Sequence, residues 1–130
     1  MTPRPLRTIL IAEDDPDNRT VACLSLETVG GYTVHACGTG REAVRLCAEV
    51  RPDLLLLDAF MPELDGPSVV ETLRGSSETS AIPVIFLTAS AQSLDVSRYL
   101  ELGALDVIRK PFDPLTLADD VRKIWEAARA

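Results

Sequence analysis

The 130-residue sequence has three cysteines, one histidine and no long apolar run. An odd number of cysteines without a C-x-x-C pair (Cys23, Cys37 and Cys47) indicates neither a disulfide framework nor a zinc site, and a reducing cytoplasm is the expected location. The single histidine, His35, argues against histidine metal sites and Ser–His–Asp triads. The longest apolar stretch, residues 81–89, is short and contains a proline, which excludes a membrane span.

Positive charge is also scarce. There are 13 basic against 20 acidic residues, a net charge of -7, so binding to nucleic acid or to an anionic membrane surface is disfavoured. Only two of the bases are lysines, Lys110 and Lys123. The composition, 46% hydrophobic and 25% charged, is that of a globular protein, and residues 1–130 are long enough for a single domain.

Five short apolar runs predict strands, and three of them are continuous rather than alternating. Continuous runs suit strands that are buried on both faces of a parallel sheet. The runs occupy residues 8–12, 32–36, 54–57, 84–87 and 107–108.

Segments with helical spacing separate these runs. In the first segment Val21, Leu24 and Thr28 share one stripe, and similar stripes recur in the second, fourth and fifth segments. Helix starts are marked by Asp15-Pro16, by the capping box Thr39 to Glu42, by Gly66-Pro67 and by Asp113-Pro114, and Gly103 marks the end of the fourth helix. Strict strand–helix alternation predicts an α/β fold, a doubly wound five-stranded parallel sheet with helices on both faces.

Chemically active residues stand where the predicted strands end, which is where such sheets bind ligands. Glu13-Asp14-Asp15 follows the first strand, Asp58 the third, Thr88 the fourth and Lys110 the fifth. Each has an ordinary explanation when taken singly, for example a helix cap or a loop residue. Two carboxylates about 4 Å apart repel by roughly 4 kcal/mol at an effective dielectric of 20, so their convergence requires a counter-ion. Oxygen ligands of this kind suit Mg²⁺.

Four segments resemble the receiver domain of bacterial two-component response regulators: ILIAEDD (residues 9–15), DLLLLDAFMPELDG (53–66), PVIFLTA (83–89) and KPF (110–112). The resemblance covers about residues 7–128, and the chain is similar to the stand-alone receivers of chemotaxis and phosphorelays. It implies a (βα)5 flavodoxin-like fold with strand order 2-1-3-4-5.

The resemblance also implies a role for each acidic residue. Asp58 would accept a phosphoryl group from a phosphohistidine, forming an acyl phosphate. Mg²⁺ (or Mn²⁺) would be bound directly by Asp14 and Asp58, through water by Glu13, and by the backbone carbonyl of Phe60. Asp15 matches no metal ligand and is interpreted as a helix cap.

Five further residues would support that reaction by the same resemblance. Lys110 and Thr88 would contact the phosphoryl group, and small Ala89 would leave room for it. Pro111 resembles the family proline whose preceding peptide bond is cis, and Gly66 would shape the loop beside the site.

The sequence departs from the family pattern in two places. Val107 stands where many members carry an aromatic residue that rotates inward, so signalling through the fourth helix, fifth strand and fifth helix is in doubt. Phe60 and Ser90 offer neither a carboxylate nor an amide to orient water, which predicts slow loss of the phosphoryl group. Tyr99 and Trp125 have the spacing of packed residues.

The expected partners are a sensor histidine kinase or histidine phosphotransfer protein and a downstream protein, with a homodimer left open. The alternatives are a receiver-like adaptor that works without phosphorylation, and a receiver that is a fragment of a hybrid kinase or larger regulator. A hydrolase of the haloacid dehalogenase type needs a second acid where Phe60 stands. A flavodoxin-type binder is disfavoured because the turn at residues 13–16 is acidic and lacks glycine.

Overall fold

The computed structural model describes residues 5–89 and 93–129, and the side chains of all of these except 93, 94 and 129. Five parallel strands form one sheet in the order β2-β1-β3-β4-β5, as expected. The strands are β1 (Thr8–Ala12), β2 (Thr33–Cys37), β3 (Leu54–Asp58), β4 (Val84–Thr88) and β5 (Asp106–Arg109).

Burial separates the central strands from the edge strands. Every residue of β3 and β4 is buried, and so is β1 after its first residue, which explains why their sequences are continuous apolar runs. The edge strands β2 and β5 are partly exposed. The predicted strands agree with the observed ones to within one or two residues at each end, and β3 and β4 each extend to the polar residue that follows the run.

Five α-helices cover the two faces of the sheet: α1 (Pro16–Leu24), α2 (Gly40–Val50), α3 (Gly66–Arg74), α4 (Ser93–Glu101) and α5 (Leu117–Arg129). One apolar core lies between the sheet and α2, α3 and α4, and the other lies between the sheet and α1 and α5. This two-sided arrangement confirms the doubly wound fold. Among the described residues, no helix has the length and apolar character needed to cross a bilayer.

Helix caps explain where most of the helices begin. The side chain of Asp15 accepts hydrogen bonds from the backbone N–H groups of residues 17 and 18, and Thr39 and Asp65 cap α2 and α3 in the same way. Gly103, with φ of +94°, follows α4 as expected. The prediction that a helix starts at Pro114 is wrong: Asp113 stabilises a turn through the N–H of Leu115, and α5 begins only at Leu117.

The stripe predicted for the first helix is also wrong. Val21 and Leu24 are 38% and 58% exposed, whereas Ala22 and Leu26 are fully buried against the sheet. Apolar residues occupy several faces of this segment, so spacing alone does not identify the buried face. A π-helical turn, Ser25–Val29, extends α1 and carries Leu26 into the core.

Candidate functional site

The acidic residues predicted from the sequence meet at the carboxyl edge of the sheet. Glu13 directly follows β1, where its backbone N–H donates to the carbonyl of Cys37 at 3.0 Å, and its side chain is completely buried. Asp58 is the last residue of β3 and is only 2% exposed. Asp14 is exposed, and one carboxylate oxygen from each of the three lies within 4.8 Å of the others.

Lys110 points into this cluster from the end of β5. Its Nζ lies 2.9 Å from Glu13 Oε1, 3.3 Å from Glu13 Oε2 and 3.2 Å from Asp58 Oδ2. The lysine side chain is 17% exposed, and the two carboxylate side chains are 0% and 3% exposed. Low exposure strengthens these contacts relative to surface ion pairs, which contribute little.

One ammonium group does not balance three carboxylates, and the pKa of Asp58 reflects this. Burial raises the pKa of Asp58 from 3.8 to about 8, and its contacts with Glu13 and Asp14 act in the same direction, while the N–H of Phe60 opposes them. Burial acts to lower the pKa of Lys110, but hydrogen bonds and charges from Glu13 and Asp58 outweigh it, so its pKa is raised. The cluster therefore has an excess of negative charge that a further cation would neutralise.

The donor set fits a hard divalent cation. Glu13, Asp14 and Asp58 offer only carboxylate oxygens, the ligands that Mg²⁺ and Mn²⁺ prefer. Phe60 lies beside them, since its backbone N–H donates to Asp58 Oδ1 at 3.1 Å, and its side chain is 64% exposed. Its carbonyl belongs to the loop that leaves Asp58.

The ends of β4 and β5 are joined by a backbone hydrogen bond. The N–H of Lys110 donates to the carbonyl of Thr88 at 2.8 Å, and the residue before Thr88, Leu87, is registered with Asp58. Thr88 is completely buried and Ala89 is exposed. The ends of β3, β4 and β5 therefore lie side by side at one edge of the sheet.

A cavity of about 210 Å³ opens beside Lys110. Ala89 and Pro111 lie on its wall with the lysine, and α1 contributes Val21. The Lys110–Pro111 peptide bond is cis, as the resemblance implies. The cavity gives access to Lys110 from the side of α1.

Gly66 fits its position because no side chain has room there. A Cβ on Gly66 would lie 2.8 Å from the carbonyl oxygen of Asp58 and 2.9 Å from both Ala59 Cα and Phe86 Cε1. Its N–H donates to the carbonyl of Ala59 at 3.1 Å. The glycine therefore lets α3 begin directly against the backbone of Asp58.

Val107 and the aromatic residues Tyr99 and Trp125 have different surroundings. Val107 is half-buried against the core beneath α4, and Tyr99 is 4% exposed with its ring stacked on Phe86 at 4.6 Å. Trp125 is 3% exposed. The packing predicted for both aromatic residues is confirmed. Ser90 lies outside the described residues.

Sequence reasoning missed one residue that supports the site. Arg19, on α1, donates from its guanidinium to the backbone carbonyl of Glu13 at 2.8 Å. The contact fixes the turn that carries Glu13 and Asp14. Nothing in the spacing of an arginine six residues further along the chain signals it, because it depends on the direction in which α1 leaves the sheet.

Comparison with known proteins places this geometry in a family. A family model described as response regulator receiver domain matches residues 9–122. The chain is 37% identical over 114 residues to the DNA-binding response regulator MtrA of Mycolicibacterium smegmatis, covering 88% of this chain and 48% of MtrA. The chemotaxis response regulator CheY4 of Vibrio cholerae has a TM-score of 0.84 at 26% identity, covering 92% of this chain and 99% of CheY4.

A third match is a receiver domain from a kinase. The signal receiver domain of a signal transduction histidine kinase from Syntrophus aciditrophicus has a TM-score of 0.79 at 39% identity, covering 95% of this chain and 92% of that structure. The chain spans between 23% and 48% of the length of the curated relatives it matches. The family match extends over most of the chain, and the observed strand order agrees with it. The chain belongs to the response regulator receiver domain family.

Proposed function

We propose that Asp58 accepts a phosphoryl group from a phosphohistidine, on a sensor histidine kinase or a histidine phosphotransfer protein, in a reaction that requires Mg²⁺ or Mn²⁺. One observation carries the proposal: a nearly inaccessible carboxylate at a strand end lies between two other carboxylates and one ammonium group. A purely structural aspartate would not require two neighbouring carboxylates. Their mutual repulsion destabilises the folded state unless a cation binds.

The transfer exchanges one bond to phosphorus for another. Asp58 attacks through a carboxylate oxygen, a P–O bond forms, and the P–N bond of the phosphohistidine breaks. The electron pair of that bond leaves with the imidazole, whose other ring nitrogen carries a proton, so the donor histidine departs as a neutral base. The product is an acyl phosphate on Asp58, with no oxidant or further co-reactant involved.

Both reacting groups are anionic, so positive charge controls the rate. A divalent cation, when bound beside Asp58, would supply positive charge that lowers the repulsion between the two anionic groups. Asp14 and Asp58 would hold that cation directly, Glu13 would hold it through water, and the carbonyl of Phe60 would complete the protein ligands. Lys110 is already aimed at Asp58, and from there it donates to a phosphoryl oxygen as a compact charge.

Residues around the carboxylate position and accommodate the phosphoryl group. Thr88 provides a hydroxyl at the end of β4, and Ala89 leaves the adjacent space open because its side chain is a single methyl group. Phe60 places no carboxylate or amide near the acyl phosphate, so water is poorly oriented and the phosphorylated form is long-lived.

The donor reaches the site over an apolar surface beside the acidic cluster. The cavity next to Lys110 is bordered by the apolar residues Val21, Pro111 and Phe112. A contiguous apolar patch on a small protein marks a contact surface. We place this encounter in the cytoplasm. Residues 7–128 form one receiver domain in this proposal, and a downstream protein binds its phosphorylated form.

Intact mass spectrometry tests the function directly. Incubation with acetyl phosphate and Mg²⁺ is expected to add one phosphoryl group to the parent protein, and no group to Asp58→Asn or to the chelated sample. Asp53→Asn is the matched control, because it changes a buried aspartate at the other end of the same strand and keeps an acceptor oxygen. An unchanged mass for the parent protein overturns the proposal in favour of the adaptor.

A further inference from the structure

The first residue of α2 packs directly on the loop that follows the phosphoacceptor. A Cβ built on Gly40 would lie 2.2 Å from the carbonyl oxygen of Leu64, 2.9 Å from Val69 Cγ2 and 3.0 Å from Leu64 Cβ. Non-bonded atoms pack at about 3.5 Å, so no side chain fits here without movement of the neighbours. The closest of these neighbours is a backbone atom, which has no alternative rotamer.

The first turn of α2, to which Gly40 belongs, is held by hydrogen bonds. Thr39 caps α2 by accepting a hydrogen bond from the N–H of Glu42 at 3.2 Å, and its carbonyl accepts from Ala43 at 3.1 Å. Glycine at the first helical position therefore sits in a well-formed first turn. A methyl group added there meets the backbone of Leu64 at the shortest distance, so we expect the loop to be displaced.

The loop in contact with Gly40 runs from Ala59 to Gly66 and contains the carbonyl of Phe60. It is closed by the bond from the N–H of Gly66 to the carbonyl of Ala59, and inside it the N–H of Leu64 donates to the carbonyl of Pro62 at 2.8 Å. That second bond spans a γ-turn at Glu63, whose φ is +69°. A loop this short and tightly folded transmits a displacement at one end to the other.

One ion pair also joins α2 to this loop, and it is weak. Arg41 Nε lies 3.6 Å from Glu63 Oε2, and the two side chains are 78% and 67% exposed. Exposed pairs of this kind contribute little. Met61 anchors the start of the loop in the core, and the close approach of Gly40 to Leu64, together with the partly buried Leu64 side chain, anchors its end.

We infer that Gly40 is a positioning residue for the divalent cation: by letting Leu64 approach the first turn of α2, it fixes the loop that presents the carbonyl of Phe60. The inference rests on the proposed function, since it assigns the Phe60 carbonyl to the metal. Gly40 touches neither the cation nor the substrate, and it acts only through the loop. Residues that orient metal ligands typically change metal affinity by tenfold or more when they are altered.

The affinity of the folded protein for Mn²⁺, measured by electron paramagnetic resonance of the free ion, tests the inference. Gly40→Ala is expected to weaken Mn²⁺ binding by about tenfold. Gly75→Ala is the matched control, because it also lies at a helix end and its added Cβ would meet only ordinary contacts, the nearest at 3.4 Å. Arg41→Ala is expected to bind Mn²⁺ like the parent.

A second pair of variants covers the case in which Gly40→Ala does not fold. Leu64→Ala loosens the same loop from its own side and is expected to weaken Mn²⁺ binding. Leu102→Ala removes an equally half-buried leucine from the same core and is expected to leave binding unchanged. A variant with lower thermal stability but the parent's Mn²⁺ affinity has only a structural defect.

The outcomes separate the inference from the proposed function. If the parent protein binds no Mn²⁺, the proposed function fails. If the parent binds Mn²⁺ and folded Gly40→Ala binds it equally well, the positioning role is wrong and the proposed function stands. Equal losses in Leu64→Ala and Leu102→Ala also overturn the positioning role.

Discussion

Two buried aspartates stand at the two ends of β3, and their surroundings are opposite. Asp53 precedes the strand, is 8% exposed, and accepts hydrogen bonds through Oδ2 from the backbone N–H groups of Thr8 at 2.9 Å and Arg7 at 3.2 Å. Asp58 ends the strand and is 2% exposed, but it shares its pocket with Glu13 and Asp14. Four leucines separate the two aspartates along the chain.

The difference shows what makes a buried carboxylate reactive. Asp53 accepts hydrogen bonds from the backbone at the start of β1, so it joins β3 to β1. Asp58 receives one N–H and part of one ammonium group, while burial, reinforced by two carboxylates, raises its pKa. Burial alone therefore does not identify a reactive acid; the balance of charge around it does.

The largest expected effect comes from removing the ammonium group of Lys110, which contacts Asp58. Lys110→Met is expected to slow phosphorylation by acetyl phosphate roughly a hundredfold at saturating Mg²⁺, because a positioned donor to the transferred group is lost. Intact mass recorded against time gives the rate. Lys123→Met is the control, since the other lysine is exposed and pairs with Asp119; an equal loss there would contradict the assignment.

The second effect concerns Asp53. Asp53→Ala is expected to lower the free energy of unfolding by about 2 kcal/mol, because two backbone donors lose their acceptor in a part-buried site. Urea denaturation followed by circular dichroism measures it. Asp53→Asn keeps an acceptor oxygen and is expected to lose less; if both variants are as stable as the parent, the structural role of Asp53 is wrong.

The third effect concerns Mg²⁺. Its stabilisation of the folded protein is expected to depend on Asp58 and not on Asp53. At Mg²⁺ tenfold above its dissociation constant, the free energy of unfolding of the parent rises by about 1.4 kcal/mol, because only the folded chain assembles the site. Asp53→Ala keeps this increment although it starts lower, and Asp58→Asn loses most of it. An increment of the same size in Asp58→Asn would place the metal elsewhere.

The smallest expected effect is an increase in stability. Without metal, Asp58→Asn is expected to raise the free energy of unfolding by about 1 kcal/mol, because an amide beside Glu13 and Asp14 removes repulsion and still accepts the N–H of Phe60. The same denaturation experiment in the presence of a chelator measures it. A loss of stability like that of Asp53→Ala would mean that the two ends of β3 do not differ in kind.

Much of the fold and of the candidate site follows from local sequence. Leu54 to Leu57 favour a strand buried on both faces, and parallel strands bring their ends to one edge, so the sequence predicts that Glu13, Asp58 and Lys110 meet. The directions of these side chains are set by the backbone immediately beside them.

What sequence reasoning missed depends on how whole elements pack. The buried face of α1 was assigned wrongly because Val21, Ala22 and Leu24 are all apolar, and only the approach of the helix to the sheet selects among them. The bond from Arg19 to Glu13 and the contact of Gly40 with Leu64 join segments whose distance is fixed by that packing. No spacing rule contains that distance.

The location of Trp125 has a practical consequence. The indole is packed under α5 on one face of the sheet, among residues such as Val121 and Ile9, whereas the acidic cluster lies at the carboxyl edge. Its fluorescence emission is therefore expected to follow loss of the core and to be insensitive to events at Asp58. The chain carries a built-in optical reporter of global unfolding whose signal is separate from the chemistry.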